Sequence, residues 1–463
     1  MNETTPEQLI NSKRAVVVAP AGCGKTELIV NAVSLGSSGK QLVLTHTNAG
    51  VDSLNQRFKR IGVSSSKYKV QTIASFALEY SAAFPKTSSF VLRDESLIWN
   101  EIYIGAIEVL KSNFGKKIIS ASYKGVFVDE YQDCTEIQHL LVQNLANNLP
   151  CRVLGDPLQG IFEFEPLVDW GKSVFSFFES LPNLTSPWRW IKTNPQLGYW
   201  LLDIRKILET DQKLQLNSLP KGVKRFNSTP DNQRMSCYAF LREQGSVVAI
   251  NKWKHQAHQL ARGLGGSYIS MEEVEANDLI QTCSLLEKSI GVERVLKFLD
   301  FTEKCLTKIS TELSTIKGKL KKNDLSIGRI SKNREIASAL FGLNEQGGYQ
   351  GFYAVMTILE QVPGARIFRP ELWSDMKNVF RIFNGTESLM EVAKRYRQHQ
   401  RFSKKKLWSK VSTRVLLIKG LEYDNSIILD ADKLTTKELY VALTRAKSSM
   451  IIHSESSNIN LNK

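Results

Sequence analysis

Ala19–Thr26 reads APAGCGKT, and the run that leads into it, Arg14–Pro20 (RAVVVAP), is short, apolar and β-favouring. Glu27–Val33 then continues with helix-compatible spacing. A strand that ends in a glycine-containing loop and opens a helix is the setting in which backbone N–H groups turn inward on an anion. Ala21, Gly22, Cys23 and Gly24 would supply those amides, Lys25 would reach the β and γ phosphates, and the Thr26 hydroxyl would ligate Mg2+. The usual pattern has Gly at position 19, where this chain has Ala.

About a hundred residues on, Val126–Asp133 reads VFVDEYQD. Val126–Val128 predicts a buried parallel strand that delivers Asp129 and Glu130 at its carboxyl end, where ligands collect in open α/β sheets. Asp129 suits a magnesium ligand, and Glu130 a base that orients and deprotonates an attacking water. The two stretches together predict a magnesium-dependent site for ATP.

The motifs that follow, in order, resemble those of superfamily 1 helicases of the UvrD/Rep type. Gln8 stands where that family has its adenine-reading glutamine. Thr45-His46-Thr47-Asn48 and Thr72-Ile73-Ala74-Ser75-Phe76 resemble its DNA-contacting segments, which assigns His46, Thr47, Asn48, Thr72 and Phe76 to single-stranded DNA. Gly155–Phe162 (GDPLQGIF) is close to GDPxQSIY, so the resemblance makes Gln159 the γ-phosphate sensor. Leu184–Arg189 (LTSPWR) stands at LxxNYR, Lys419–Tyr423 (KGLEY) at KGLEF, and Tyr440–Lys447 (YVALTRAK) matches outright. The resemblance implies arginine fingers at Arg189 and Arg445, brought from a second lobe across a cleft, a ribose contact at Glu422 and a base-stacking ring at Trp188.

Several positions depart from that pattern. Glu27 replaces a basic residue that helps sandwich adenine, which leaves base recognition to Gln8 and Trp188. His46 replaces an aromatic residue, and Phe164 replaces a tryptophan; each keeps a flat ring on which a base can stack. Leu416 stands where a histidine often precedes KGLEF.

The chain has 463 residues, a formal charge of +15 and 42% hydrophobic residues, which suits several cores and a polyanionic partner. Basic stretches occur at Lys317–Lys322 (KGKLKK) and Arg401–Lys410 (RFSKKKLWSK). Six cysteines without a CxxC spacing predict neither a disulfide framework nor a cysteine metal site, and no apolar run approaches a membrane span, so a cytoplasmic protein is expected.

The predicted fold class is α/β, with two RecA-like doubly wound parallel sheets and helical insertions in the 1A/1B/2A/2B arrangement. Residues 1–83 and 112–182 form domain 1A, and 84–111 the small insertion 1B, with helical spacing at Leu97, Glu101, Ile104 and Ile107. Residues 183–270 and 405–463 form 2A, with strands at Ser246–Asn251, Arg414–Ile418, Ser426–Leu429 and Met450–His453. Residues 271–404 form the helical insertion 2B, in which Val292–Leu320 carries an apolar stripe at Val295, Leu299, Leu306, Ile309, Leu313 and Ile316.

By resemblance the expected activity is a DNA-dependent ATPase that translocates 3′ to 5′ on single strands and unwinds duplex, in DNA repair or anti-phage defence. The alternative is an ATP-gated sensor of single strands and duplex ends that signals to a partner nuclease, in the manner of the helicase-like components of Gabija-type systems.

Overall fold

The computed structural model describes residues 3–461 apart from 36–38, 91–96, 163–164, 211–212, 274–275, 329, 331, 347 and 401–407, and residues 344–346 by their backbone alone. Phe164 and most of the basic stretch Arg401–Lys410 therefore lie outside the described residues. The chain divides into two compact units: Met1–Val223 with Leu434–Ser449 and Asn458–Lys463, and Lys224–Lys433 with Met450–Ser457.

In the first unit β1 (Arg14–Val18), β2 (Gln41–Thr45), β3 (Tyr68–Thr72), β4 (Gly125–Val128), β5 (Cys151–Gly155) and β6 (Glu179–Ser180) form a sheet in the order β3-β2-β4-β5-β1-β6. Every pairing in it is parallel. β2, β4 and β5 are buried along their whole length, the mark of strands covered on both faces. Their side chains alternate between two cores. Val16, Leu42, Leu44, Val126, Val128 and Val153 pack on one face with the helices Ile73–Ala83, Trp99–Lys111 and Glu136–Ala146. Val17, Val43, Phe127 and Leu154 pack on the other with Lys25–Leu35 and Asn48–Arg60. A short antiparallel pair, β7 (Leu214–Gln215) with β14 (Asn458–Ile459), completes this unit.

The helix Trp99–Lys111 covers Glu101, Ile104 and Ile107 of the expected helical spacing. Its buried residues are Ile102, Tyr103, Ala106, Ile107, Val109 and Leu110, whereas Leu97, Glu101 and Ile104 are exposed. The sequence holds apolar residues on both sides of this helix, and the longer stripe won the core.

The second sheet contains β8 (Val223–Asn227), β9 (Val247–Asn251), β10 (Ile269–Ser270), β11 (Lys410–Arg414), β12 (Tyr423–Ile428) and β13 (Ala446–Ser454), in the order β10-β11-β9-β12-β13-β8. β9 is parallel to both β11 and β12, and β10 to β11. The structure thus has two doubly wound RecA-like sheets. The apolar run Val415–Ile418, expected as a strand, is a 3-10 turn following β11.

Between Asn277 and Gln400 the second unit is helical, around a separate core that includes Phe298, Phe352, Trp373 and Phe380. All six residues of the predicted stripe are buried there. They do not share one helix. The backbone leaves Gly291–Cys305 where Leu306 forms a bridge to Ile367, Lys308 adopts a positive φ of 62°, and two further helices follow at Ile309–Glu312 and Ser314–Lys321. Within KGKLKK, Lys317 pairs with Asp300 and Glu303, and Lys319 with Asp324, so these lysines are engaged locally.

The unit boundary at Val223 also differs from the expected start of the second lobe at residue 183. Arg205 binds Asp156 at 3.0 Å, and the Trp190 indole N–H donates to the Ala446 carbonyl at 2.7 Å. These buried contacts fasten 183–223 and 434–449 into the first unit. Among the described residues no helix is long and apolar enough to cross a membrane.

Candidate nucleotide site and its nucleic-acid edge

The carboxyl edge of the first sheet gathers most of the predicted chemistry. β1 runs into the loop, and Gly22 (φ 72°) and Gly24 (φ 87°) take left-handed conformations that admit close backbone approach. Lys25 opens the helix Lys25–Leu35 and is itself buried. Its ammonium lies 2.7 Å from Glu130 Oε2 and 3.6 Å from Asp129 Oδ1. Burial works against the Lys25 cation, but the two carboxylates outweigh it and hold its pKa above the ordinary lysine value. Burial raises the Asp129 carboxyl, opposed by Lys25.

Thr26 Oγ1 donates to Asp129 Oδ2 at 3.2 Å. A hydroxyl and a carboxylate facing each other at a helix N-terminus form a hard-oxygen pair that fits Mg2+. Glu130 is left-handed, at φ 57°, an uncommon conformation for a non-glycine residue that tends to cluster at functional sites. Strand β4 ends two residues earlier, so this turn sets the direction of the Glu130 carboxylate, which also accepts from the Gln132 amide.

Beside β5, Asp156 is fully buried and accepts from Gln159 Nε2 at 3.1 Å. Arg189 donates its backbone N–H to the Gly22 carbonyl at 3.1 Å and its guanidinium to the Thr444 carbonyl at 2.7 Å. Arg445 is fully buried, with Nε on the Val441 carbonyl and Nη2 on Thr444 Oγ1, each at 2.8 Å. Both arginines lie in the same compact unit as the phosphate loop, where the resemblance had placed them in a second lobe.

Trp188 is 60% exposed, and its ring lies against Gly24, where a Cβ would come within 3.1 Å of Trp188 Cδ1. Gln8 lies in the helix Pro6–Asn11, where its Oε1 accepts from the Thr5 N–H at 2.9 Å in a capping box. The same N-terminal segment is tied to the one that carries Trp188. Glu3 Oε1 accepts from the Thr185 N–H at 2.6 Å and from its hydroxyl at 2.8 Å. Glu27 is taken up by Arg57 (3.0 Å) and Arg60 (2.7 Å) on the neighbouring helix.

The segments expected to touch DNA lie on two adjoining strands. Thr45 at the end of β2 pairs in register with Thr72 at the end of β3. Thr47 caps the helix Asn48–Arg60 through the Gly50 N–H, and Thr72 caps Ile73–Ala83 through the Ser75 N–H. Thr47 and Asn48 are exposed and His46 is half-buried. Phe76 differs from expectation. It is fully buried and stacked on Tyr80 with ring centroids 4.5 Å apart, so its ring serves the core and offers no face to a base. Glu422 lies in the second unit, exposed, immediately before β12.

Two residues escaped the sequence reading. Arg205 is a buried cation on the apolar face formed by Leu197, Leu201, Ile204 and Leu208. Tyr440 was read as part of a motif without a role, yet its hydroxyl meets Ala21 and Asp156. A lone arginine inside an apolar helical stripe was the available signal for the first.

Gly22→Ala tests the packing of the loop. A Cβ there would lie 2.5 Å from Trp190 Cζ3, against a residue that is 1% exposed, on a backbone at φ 72°. Overpacking and strain of this kind are expected to cost about 1–3 kcal/mol, read as a lowered urea midpoint. An unchanged midpoint would contradict the packing described.

The strand-loop-helix, its lysine and its paired carboxylates define a P-loop NTPase-like site. The AAA domain family matches residues 2–165, the span that carries the phosphate loop, Asp129, Glu130 and Gln159. No curated protein matches the chain. Among solved structures, the arterivirus nonstructural protein 10 helicase in complex with DNA is 12% identical, with a TM-score of 0.37 over 96% of this chain and 62% of that one. The PRRSV helicase is 10% identical, with a TM-score of 0.36 over 97% of this chain and 54% of that one. The chain thus spans less than two thirds of the length of these structures.

Proposed function

We propose that this chain is a DNA-dependent ATPase of the helicase type, coupling ATP hydrolysis to movement along single-stranded DNA. The observation that carries the reading is the sharing of one sheet edge. β2 ends at Thr45 and leads into His46–Asn48, and the neighbouring strand, β4, ends at Val128 and leads into Asp129 and Glu130. Cys134, just past that turn, has its sulfur 3.5 Å from His46 Nε2. A strand of DNA on His46, Thr47 and Asn48 would therefore press on the turn that aims the hydrolytic carboxylates.

In this reading the Gly22–Gly24 amides and Lys25 hold the ATP phosphates, and Trp188 stacks on the base with Gln8 beside it. Thr26 and Asp129 hold Mg2+, which neutralises charge on the β and γ oxygens. Glu130 takes the proton of the attacking water once the phosphates draw Lys25 away from it. Gln159 contacts the γ phosphate, and Arg189 and Arg445 supply fixed positive charge.

A duplex with a long 3′ single-stranded tail, labelled on its short strand, tests the coupling. ATP-dependent strand release is expected. ATPase activity that responds to the tail without strand release would instead favour a sensor working through a partner such as a nuclease. Binding to the tail is also expected to weaken as salt rises. With three neutralised phosphates, at a slope of about −0.7 per contact, a fourfold rise in salt lowers affinity about tenfold or more. Salt-independent affinity would refute a phosphate-tracking surface.

A further inference from the structure

Asp156 is a heavily engaged carboxylate of the first unit, and its partners arrive from four separate segments. Oδ2 accepts from the Tyr440 hydroxyl at 2.9 Å and from Gln159 Nε2 at 3.1 Å, and Oδ1 accepts from Arg205 Nη2 at 3.0 Å. The Tyr440 hydroxyl, having donated to Asp156, accepts in turn from the Ala21 backbone N–H at 3.2 Å. The Asp156 backbone N–H donates to Gln132 Oε1 at 3.0 Å, and the Gln132 amide in turn donates to Glu130. One buried anion therefore links the first amide of the phosphate loop, the glutamine expected at the γ phosphate and, through Gln132, the expected base.

Tyr440 and Arg205 both remain donors to Asp156. Burial, with Asp156 beside it, pushes the Tyr440 phenol well above its ordinary range, so it remains a donor. Arg205 is opposed by burial, but Asp156 and its neighbours hold its pKa above the ordinary arginine value. Arg205 also pairs with Glu209 at 2.7 Å, one turn along its own helix. Exposed residues would form such a junction only weakly. Here Asp156, Gln159, Arg205 and Tyr440 are all buried, where a hydrogen-bond network is stronger and each missing partner costs more.

We propose that Arg205 and Tyr440 are positioning residues for ATP hydrolysis: by clamping Asp156 from two sides they fix the Gln159 amide and the Ala21 end of the phosphate loop in register with each other. The proposal deepens the ATPase reading and rests on it. Neither residue touches nucleotide in this scheme. Both act through Asp156. Tyr440 uses the Ala21 N–H, so that amide serves the loop's own shape, and the phosphates fall to the amides from Gly22 onward.

The test is a set of single-turnover and nucleotide-binding measurements on Tyr440→Phe, Arg205→Lys, Arg205→Met and Gln159→Ala, with urea midpoints for each. Tyr440→Phe removes one oxygen and keeps the ring. It is expected to slow hydrolysis about tenfold or more while ATP-analogue affinity changes about twofold or less, the signature of an interaction realised in the transition state. Arg205→Lys is expected to restore most of the rate lost in Arg205→Met, because it keeps a cation on Asp156. Combining Tyr440→Phe with Gln159→Ala is expected to cost less than the product of the two separate effects, since part of the Tyr440 effect runs through the Gln159 amide and the rest through Ala21.

Rates that fall only in step with the urea midpoint, or effects of Tyr440→Phe and Gln159→Ala that multiply, would overturn the proposal. If the unaltered protein hydrolyses no ATP with or without DNA, the ATPase reading itself has failed. If it hydrolyses ATP and Tyr440→Phe does so equally fast, the failure belongs to the positioning role alone.

Discussion

Lys25→Ala is expected to reduce ATP turnover to background. The ammonium is buried between Asp129 and Glu130, at 3.6 and 2.7 Å. Its removal takes away the charge that the β and γ phosphates would meet, and leaves two carboxylates facing the phosphates uncompensated. Nucleotide affinity should fall together with turnover.

The same variant has a second signature in its pH dependence. With Lys25 gone, the influences that raise Asp129 act without their main opponent. An acid whose folded pKa lies above its unfolded value favours the folded state when protonated and loses that contribution as pH rises through the folded value. Relative to the unaltered protein, Lys25→Ala should therefore be least stable at neutral pH and recover as pH falls. Urea midpoints across pH read this directly. Near-normal phosphate release from the variant would remove the basis for the site.

Glu130→Gln is expected to leave ATP binding largely intact and to slow hydrolysis by about a hundredfold or more, the usual size of a general-base contribution. The substitution keeps the shape and removes the base. The side chain projects from a left-handed turn at φ 57°, which sets its direction. Filter binding of labelled ATP, set beside phosphate release, separates the two effects. A parallel loss of binding would make Glu130 a structural partner of Lys25 and not the base.

Much of the first sheet was legible because its strands are buried on both faces. AVVV and VFV read as apolar runs, and they became the bodies of β1 and β4. The same cue misread Val415–Ile418, since an apolar run of four fits a buried 3-10 turn as well as a strand. Period alone also joined Gly291–Cys305 to Ser314–Lys321, because the stripe stays in phase across the break at Lys308.

Within the candidate site, loop and strand-tip residues were legible because their chemistry is carried by local spacing. Lys25, Thr26, Asp129 and Glu130 lie in contact at the ends of the two stretches. The Asp156 junction was not legible. Its members lie 49 and 284 positions from Asp156 along the chain, and although Arg205 stands out as a lone arginine in an apolar helical stripe, no local pattern pairs it with Asp156. Phe76 failed for a related reason: an aromatic in a DNA-contacting motif and an aromatic in a core look alike until the helix Ile73–Ala83 is placed on its sheet.

The most direct test of the account is steady-state phosphate release by the unaltered protein and by Lys25→Ala, each with and without single-stranded DNA. The account predicts slow hydrolysis without DNA, an increase of about tenfold or more with it, on the scale of the barrier shifts that positioning supplies, and no activity from Lys25→Ala in either condition. Hydrolysis indifferent to DNA, or equal in the two proteins, would contradict it.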